Sequence, residues 1–210
     1  MLKVNEIFYS IQGEAGYAGL PCIFIRLTGC NLRCEYCDTT YAYEEGKSFS
    51  IQEILERIQS FNCRLVEITG GEPLLQRDTT GLASALLQEG YQVLVETNGS
   101  KNIDILPDGA ICIMDIKCPG SGESDKMDWD NLNRLKAGDQ VKFVLSDETD
   151  YKWTKAHLSE ISDKVDVFMS SVPGRLDPAR LAEWILKDKL KVRLQLQLHK
   201  ILWPGQEKGV

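Results

Sequence analysis

The sequence predicts an α/β fold, an incomplete, splayed TIM-like (β/α) barrel on a parallel sheet of about six to seven strands. Three observations predict it. Short β-branched runs alternate with helical patterns along the 210 residues, and strand, helix, strand in that order builds a parallel sheet through right-handed crossovers. Only three or four convincing helices accompany about seven strands, whereas a complete eightfold barrel takes roughly 250 residues. Polar motifs follow the carboxyl ends of successive strands, where parallel barrels carry their chemistry.

The predicted strands are, in order, residues 23–27, 65–69, 93–96, 110–114, 141–144, 165–169 and 192–198, each a short run rich in Val, Ile, Leu or Phe. Ser50 and Glu53 form a capping box, and Ile51, Ile54, Leu55, Ile58 and Phe61 then mark one face of a helix. A second helix is expected from Thr80 to Glu89, closed by Gly90. Residues 149–162 read as helical with a less regular pattern. Asp177 and Pro178 read as N-cap and first helical residue of a further helix burying Leu181, Trp184 and Ile185. The loop Gly120–Asp125 is too short to separate domains, so residues 1–210 read as one domain.

Composition narrows the function. With 43% hydrophobic content the chain can bury a substantial core, and 24 basic against 31 acidic side chains give a net charge of −7. No basic block is present, which argues against nucleic acid or an anionic membrane as the main partner. Lys3, Asn5 and Glu6 interrupt the first apolar stretch, so it does not read as a signal peptide. No apolar run approaches the roughly 20 residues that span a bilayer. The seven cysteines, an odd and irregularly spaced set, fit a reducing cytoplasm better than a disulfide framework.

Cys30, Cys34 and Cys37 form one cluster with spacing C-x3-C-x2-C and no fourth cysteine close behind. A closed zinc site needs four ligands, and so ordinarily does a [4Fe–4S] cluster used only for electron transfer. Three thiolates on a cube leave one iron open to a reactant. Zinc would require a distant ligand such as Cys118 or a histidine. Cys22, Cys63 and Cys112 lie in or beside apolar strands and read as small core residues. The expected rim collects this loop after the first of these strands, Thr69-Gly70-Gly71-Glu72-Pro73 after the second, Glu96-Thr97-Asn98-Gly99 after the third and Asp115-Ile116-Lys117 after the fourth.

Those motifs, with Tyr36 before the last cysteine of the cluster and Gly-Gly-Glu-Pro after the second strand, resemble the radical S-adenosylmethionine superfamily. The resemblance implies that S-adenosylmethionine chelates the open iron and is cleaved by the reduced cluster, giving a radical that abstracts hydrogen from a substrate. Residues 6–14, Arg26, Cys37-Asp38-Thr39 and the tail Gln197-Leu198-His199-Lys200 further resemble the 7-carboxy-7-deazaguanine synthase family, over nearly the whole chain. That family implies a lyase: 6-carboxy-5,6,7,8-tetrahydropterin is contracted to 7-carboxy-7-deazaguanine with loss of ammonia, in queuosine and deazapurine biosynthesis. It also implies a cytoplasmic homodimer, Mg²⁺, an electron donor such as flavodoxin, and S-adenosylmethionine regenerated rather than consumed.

By position, the resemblance implies that Cys30, Cys34 and Cys37 hold the cluster. It puts Tyr36, Cys37, Asp38, Gly71, Glu72, Asn98, Asp115, Lys117 and Ser171 on S-adenosylmethionine. It puts Ile11, Gln12, Gly13, Glu14, Arg26, Thr69 and His199 on the substrate. Thr39 matches a magnesium position, and Mg²⁺ takes oxygen ligands while keeping several waters. Independently of the family, Arg26 inside an apolar strand would be costly to bury unpaired, which points to a site. Glu72 has a plainer reading as an acceptor for neighbouring backbone amides, and His199 as a strand cap. One departure is visible: Ala15 stands where the family pattern has glycine, and a positive φ there would cost free energy. The competing readings are a glycyl-radical activating enzyme acting on a protein partner, against which Ile11–Glu14 and Thr39 argue, and a non-enzymatic zinc-binding interaction module.

Overall fold

A computed structural model describes residues 1–206 and 208–210. In chain order the elements are β1 (Leu2–Ile11), β2 (Pro21–Leu27), β3 (Lys47–Phe49), α1 (Ile51–Gln59), β4 (Leu65–Gly70), α2 (Thr79–Gln88), β5 (Gln92–Thr97), β6 (Ile111–Ile116), α3 (Asn131–Arg134), β7 (Gln140–Leu145), α4 (Glu148–His157), β8 (Asp166–Ser171), α5 (Pro178–Asp188), β9 (Arg193–Leu194) and α6 (Leu198–Leu202). Among the described residues the strands form one sheet in the order β3-β1-β2-β4-β5-β6-β7-β8-β9. From β2 through β9 every neighbouring pair is parallel. β1 and β3 extend the β2 side in antiparallel register. The sheet does not close, so the incomplete barrel is the observed architecture.

Period-two alternation sorts each parallel strand between two faces. Ile23, Ile25, Leu27, Val66, Ile68, Val93 and Val95 face outward and pack with Ile54 and Ile58 of α1 and Leu82 and Leu86 of α2. The inward face changes character along its length. Cys22, Phe24, Leu65, Leu94, Ile113 and Phe168 make a second apolar cluster, with Ala15. Further toward the carboxyl ends the same alternation brings Arg26, Glu67, Thr69, Glu96, Asp115 and Lys142 to one hollow. An apolar floor therefore lies under a polar mouth.

The local signals behave as their chemistry dictates. Glu53 N–H donates to Ser50 Oγ at 3.2 Å and the Ser50 amide to Glu53 Oε2 at 2.7 Å, the complete capping box, worth about 1 kcal/mol. Asp177 accepts from the Ala179 amide at 2.9 Å to start α5. Three predictions are corrected. β1 is a ten-residue strand absent from the expected set, because its polar residues obscure the alternation while pairing to β2 supplies the order. The short β3 and α3 were likewise not anticipated. The strand expected over 192–198 shrinks to two residues, and α6 begins at Leu198. There β9 is an edge strand, and the chain leaves it to cross the barrel mouth, with the Gln195 side chain accepting from the Ala15 amide and the Leu198 amide donating to Gly13 O at 3.0 Å.

No helix among the described residues is long and apolar enough to cross a membrane.

Candidate active site

A cavity of about 580 Å³ opens at the carboxyl ends of the parallel strands. Cys30, Cys34, Tyr36, Cys37, Gly71, Asn98, Asp115 and Lys117 line it together with Ile11, Gln12, Gly13, Glu14, Arg26, Thr69 and His199. Asp38 and Thr39 also face it. Of the residues expected at the site, Glu72 and Ser171 alone are missing from its walls.

The cysteine loop leaves β2 through Gly29 and is clamped from two sides. Glu72 N–H donates to Gly29 O at 2.7 Å, and Glu35 N–H to Ser121 O at 3.0 Å. Gly71 must be glycine, since a Cβ there would stand 2.6 Å from Cys30 Cβ. Its amide is not presented to the cavity, however, because it donates to Leu27 O at 3.3 Å. Gly71 therefore serves close approach. All three thiols are free and half-buried. Among the described residues no three His, Cys, Asp or Glu side chains converge on a point suited to a single metal ion. Separated thiols on a cavity-facing loop suit a polynuclear iron–sulfur group better than tetrahedral zinc. Burial pushes the Cys34 thiol up to about 11, so ligation there would release a proton.

Around this loop the polar groups are held by packing and ion pairs. Tyr36 OH donates to Val144 O at 3.0 Å. Lys117 Nζ lies 2.9 Å from Asp115 Oδ2, while Asp115 Oδ1 is buried without any partner. An orphaned carboxylate oxygen beside three free thiols fits a site that receives a polar cofactor. Asn98 Nδ2 reaches toward Cys30 Sγ at 3.8 Å. Lys200 Nζ pairs with Asp38 Oδ2 at 2.7 Å, and Thr39 Oγ1 donates to Asp38 Oδ1 at 3.0 Å. Burial opposes ionisation of Asp38, but Lys200 and the hydrogen bonds outweigh it and lower its pKa. Glu72 lies behind the cavity wall. Its fully buried carboxylate accepts from Leu74 N–H, Thr97 Oγ1 and Asn98 N–H at 2.7–3.0 Å, so it braces the rim from inside and has no side-chain contact to offer. Ser171 ends β8 outside the cavity, where Val172 and Pro173 take the wall.

The other side of the cavity is built by β1, the loop after it and the C-terminal segment. Arg26 is paired, with Nε 2.8 Å from Glu6 Oε1, and its guanidinium lies over Phe8 and Tyr41. Gly13 leaves room for His199, whose Nδ1 would be 2.5 Å from an added Cβ. Burial lowers the His199 pKa despite Glu14 and Asp38 nearby. Ala15 does adopt a positive φ of 57°, a conformation costing an L-residue about 1–2 kcal/mol. Its amide is held by Gln195. Trp203, Gln206 and Val210 from the tail also face the cavity.

Three ionisable residues at the centre were not anticipated. Lys142 bonds to Glu96, lies 2.5 Å from Glu14 Oε2 and 3.6 Å from Asp115 Oδ2. Glu67 accepts from Gln12 Nε2. Burial, then the neighbouring Glu96 carboxylate, raises the Glu67 pKa well above its ordinary value. Burial would raise Glu14 too, but Lys142 and His199 hold it at about 2. The usable signal was a charge inside an apolar strand, the criterion that singled out Arg26. Lys142, between Val141 and Phe143, meets it equally.

The radical SAM superfamily model matches residues 24–110. A 7-carboxy-7-deazaguanine synthase from Chlorobaculum tepidum is 45% identical, covering 100% of this chain and 97% of the relative. Another from Koribacter versatilis is 41% identical over all of both chains. In three dimensions the chain resembles the crystal structure of QueE from Escherichia coli, with TM-score 0.78 at 24% identity over 93% of each chain. It also resembles Streptococcus suis SuiB bound to S-adenosylmethionine, with TM-score 0.55 at 14% identity over 80% of this chain and 44% of that one. These two likenesses speak to the fold.

Proposed function

The chain belongs to the 7-carboxy-7-deazaguanine synthase family of radical S-adenosylmethionine enzymes, and from that premise we propose that it converts 6-carboxy-5,6,7,8-tetrahydropterin into 7-carboxy-7-deazaguanine with loss of ammonia, as a lyase of queuosine and deazapurine biosynthesis. The observation that carries this reading is that the three-cysteine loop and the segment Ile11–Glu14 with Arg26 line one cavity. A cofactor held at the first can therefore meet a substrate held at the second. When bound, the open-iron [4Fe–4S] cluster and S-adenosylmethionine supply hydrogen abstraction, and Mg²⁺ supplies positive charge beside the substrate carboxylate.

The chain's residues do the holding. Cys30, Cys34 and Cys37 ligate the cluster. Tyr36, Cys37, Asp38, Gly71, Asn98, Asp115 and Lys117 surround S-adenosylmethionine, with the free Asp115 Oδ1 as an acceptor for its amino group. Glu72 acts indirectly by fixing the Asn98 amide. Thr39 supplies a hydroxyl to Mg²⁺, and Lys200 restrains the neighbouring Asp38. Arg26 spends Nε on Glu6 and offers its terminal N–H groups to the substrate carboxylate, as a guanidinium fork does well. Gln12, Glu14, Thr69 and the neutral imidazole of His199 present donors and acceptors to the pterin. The working form is a cytoplasmic homodimer of single-domain chains, reduced by a donor such as flavodoxin.

Anaerobic incubation of reconstituted protein with S-adenosylmethionine, reductant, Mg²⁺ and the carboxytetrahydropterin tests this. Mass-resolved 7-carboxy-7-deazaguanine is expected. An intact cluster that cleaves S-adenosylmethionine without forming that product would overturn the substrate assignment.

A further inference from the structure

Lys142, Glu67 and Glu96, all lining the middle of the cavity, have no task in the scheme above. Of the three carboxylates around Lys142, Glu96 is the most open, its side chain 26% exposed against 17% for Glu14 and 10% for Asp115. That exposure is toward the cavity, which Glu96 lines. Glu14 is occupied by Lys142, by Gln195 Nε2 at 3.1 Å and by Gln197 Nε2 at 2.8 Å. Glu96 has Lys142 on Oε1, but its Oε2 receives only a long 3.3 Å bond from Thr69 Oγ1 besides the adjacent Glu67 carboxyl. It sits on β5, between β4 carrying Thr69 and β6 carrying Asp115, where the two sides of the cavity meet.

A 2-amino-4-oxopyrimidine ring presents two adjacent donors, the exocyclic amine and a ring N–H. A carboxylate with one open edge matches that pair in a bidentate geometry, and charge-assisted bonds are the strong ones. We propose that Glu96 reads the aminopyrimidinone edge of the substrate, with Lys142 and Glu67 as positioning residues that fix its carboxylate. Glu67, raised by burial and by Glu96, enters as a neutral acid that donates to Glu96, so the pair carries one negative charge for one ligand edge. Lys142 prevents Glu96 from turning away. Arg26, on β2, is then left for the substrate carboxylate.

This presupposes the pterin substrate, so the test reads binding separately from turnover. Calorimetric titrations of unreduced holoprotein, loaded with cluster and S-adenosylmethionine, compare 6-carboxypterin with its 2-oxo analogue, in which the amine is replaced. The native protein should prefer the amino compound, and Glu96→Gln should bind it roughly 10- to 100-fold more weakly, the range of one charge-assisted hydrogen bond, and lose most of the preference. Glu96→Asp, which keeps the charge but withdraws it, should fall between the two. Iron content and circular dichroism establish that the variants are folded. If Glu96→Gln and Glu96→Asp both keep native affinity and native preference, Glu96 does not read this edge. If the native protein binds neither compound, the pterin reading itself fails and takes this one with it.

Discussion

Replacing Lys142 with methionine removes the only cation bonded to both Glu14 and Glu96 among the described residues. The structure gives the size of the effect by two routes. Breaking a buried ion pair on one side costs about 3–5 kcal/mol, because the remaining charges stay buried. Glu14 is held at about 2 against an ordinary 4.5, a difference worth roughly 3 kcal/mol. Because its folded pKa is depressed, that stabilisation is present above pH 4.5 and is lost as pH falls from 4.5 toward 2. Lys142 is raised above 10.5 against the pull of burial, chiefly by Glu14 and Glu96. Its contribution is therefore complete at neutral pH and lost only in strong alkali. In Lys142→Met the largest counterweight to the burial of Glu14 is gone and only His199 and Gln197 remain, so its carboxyl rises and the variant regains ground as acid protonates it. At pH 7 the melting temperature of the reconstituted protein should drop by roughly 6–20 °C, using about 2–4 °C per kcal/mol for this size. The deficit should narrow between pH 8 and pH 5. An unchanged melting temperature at pH 7, or a deficit constant across that range, would refute the linkage.

Gly13→Ala places a Cβ 2.5 Å from His199 Nδ1 and 3.1 Å from its backbone nitrogen; the C-terminal segment must shift, and the KM for the pterin should rise at least about tenfold with iron content unchanged. Gly71→Ala drives a Cβ against Cys30, so iron incorporation should fall; full occupancy would show that the loop yields. Thr39→Ala should weaken the dependence of turnover on Mg²⁺ and leave iron content intact, and a native magnesium titration would remove Thr39 from the metal site.

The parallel core was legible because β2, β4, β5, β6, β7 and β8 are short apolar runs whose loops carry distinctive polar motifs. The cysteine loop, Arg26 and Thr69 were legible for the same reason: each is chemistry out of place in its neighbourhood. Lys142 and Glu67 obey the same logic, but one charge inside a run such as Val141-Lys142-Phe143-Val144 has meaning only once Glu14, Glu96 and Asp115 arrive from other strands. For Glu72, motif position does not reveal that Thr97 and the Asn98 amide engage its carboxylate. β1 and the break after β9 depend on partners distant in sequence: β1 needs β2, and residues 195–198 need Ala15 and Gly13. Ala15, standing where the family pattern has glycine, poses a conformational question, and the φ of 57° there answers it.

Cofactor and substrate are proposed to share one cavity across Glu96 and Lys142. Electron paramagnetic resonance of the reduced protein with S-adenosylmethionine, before and after saturating carboxytetrahydropterin, tests it most directly. A shared cavity predicts that the pterin alters the signal in the native protein, and that Arg26→Gln needs much more pterin for the same change. A spectrum unmoved by saturating pterin would contradict it.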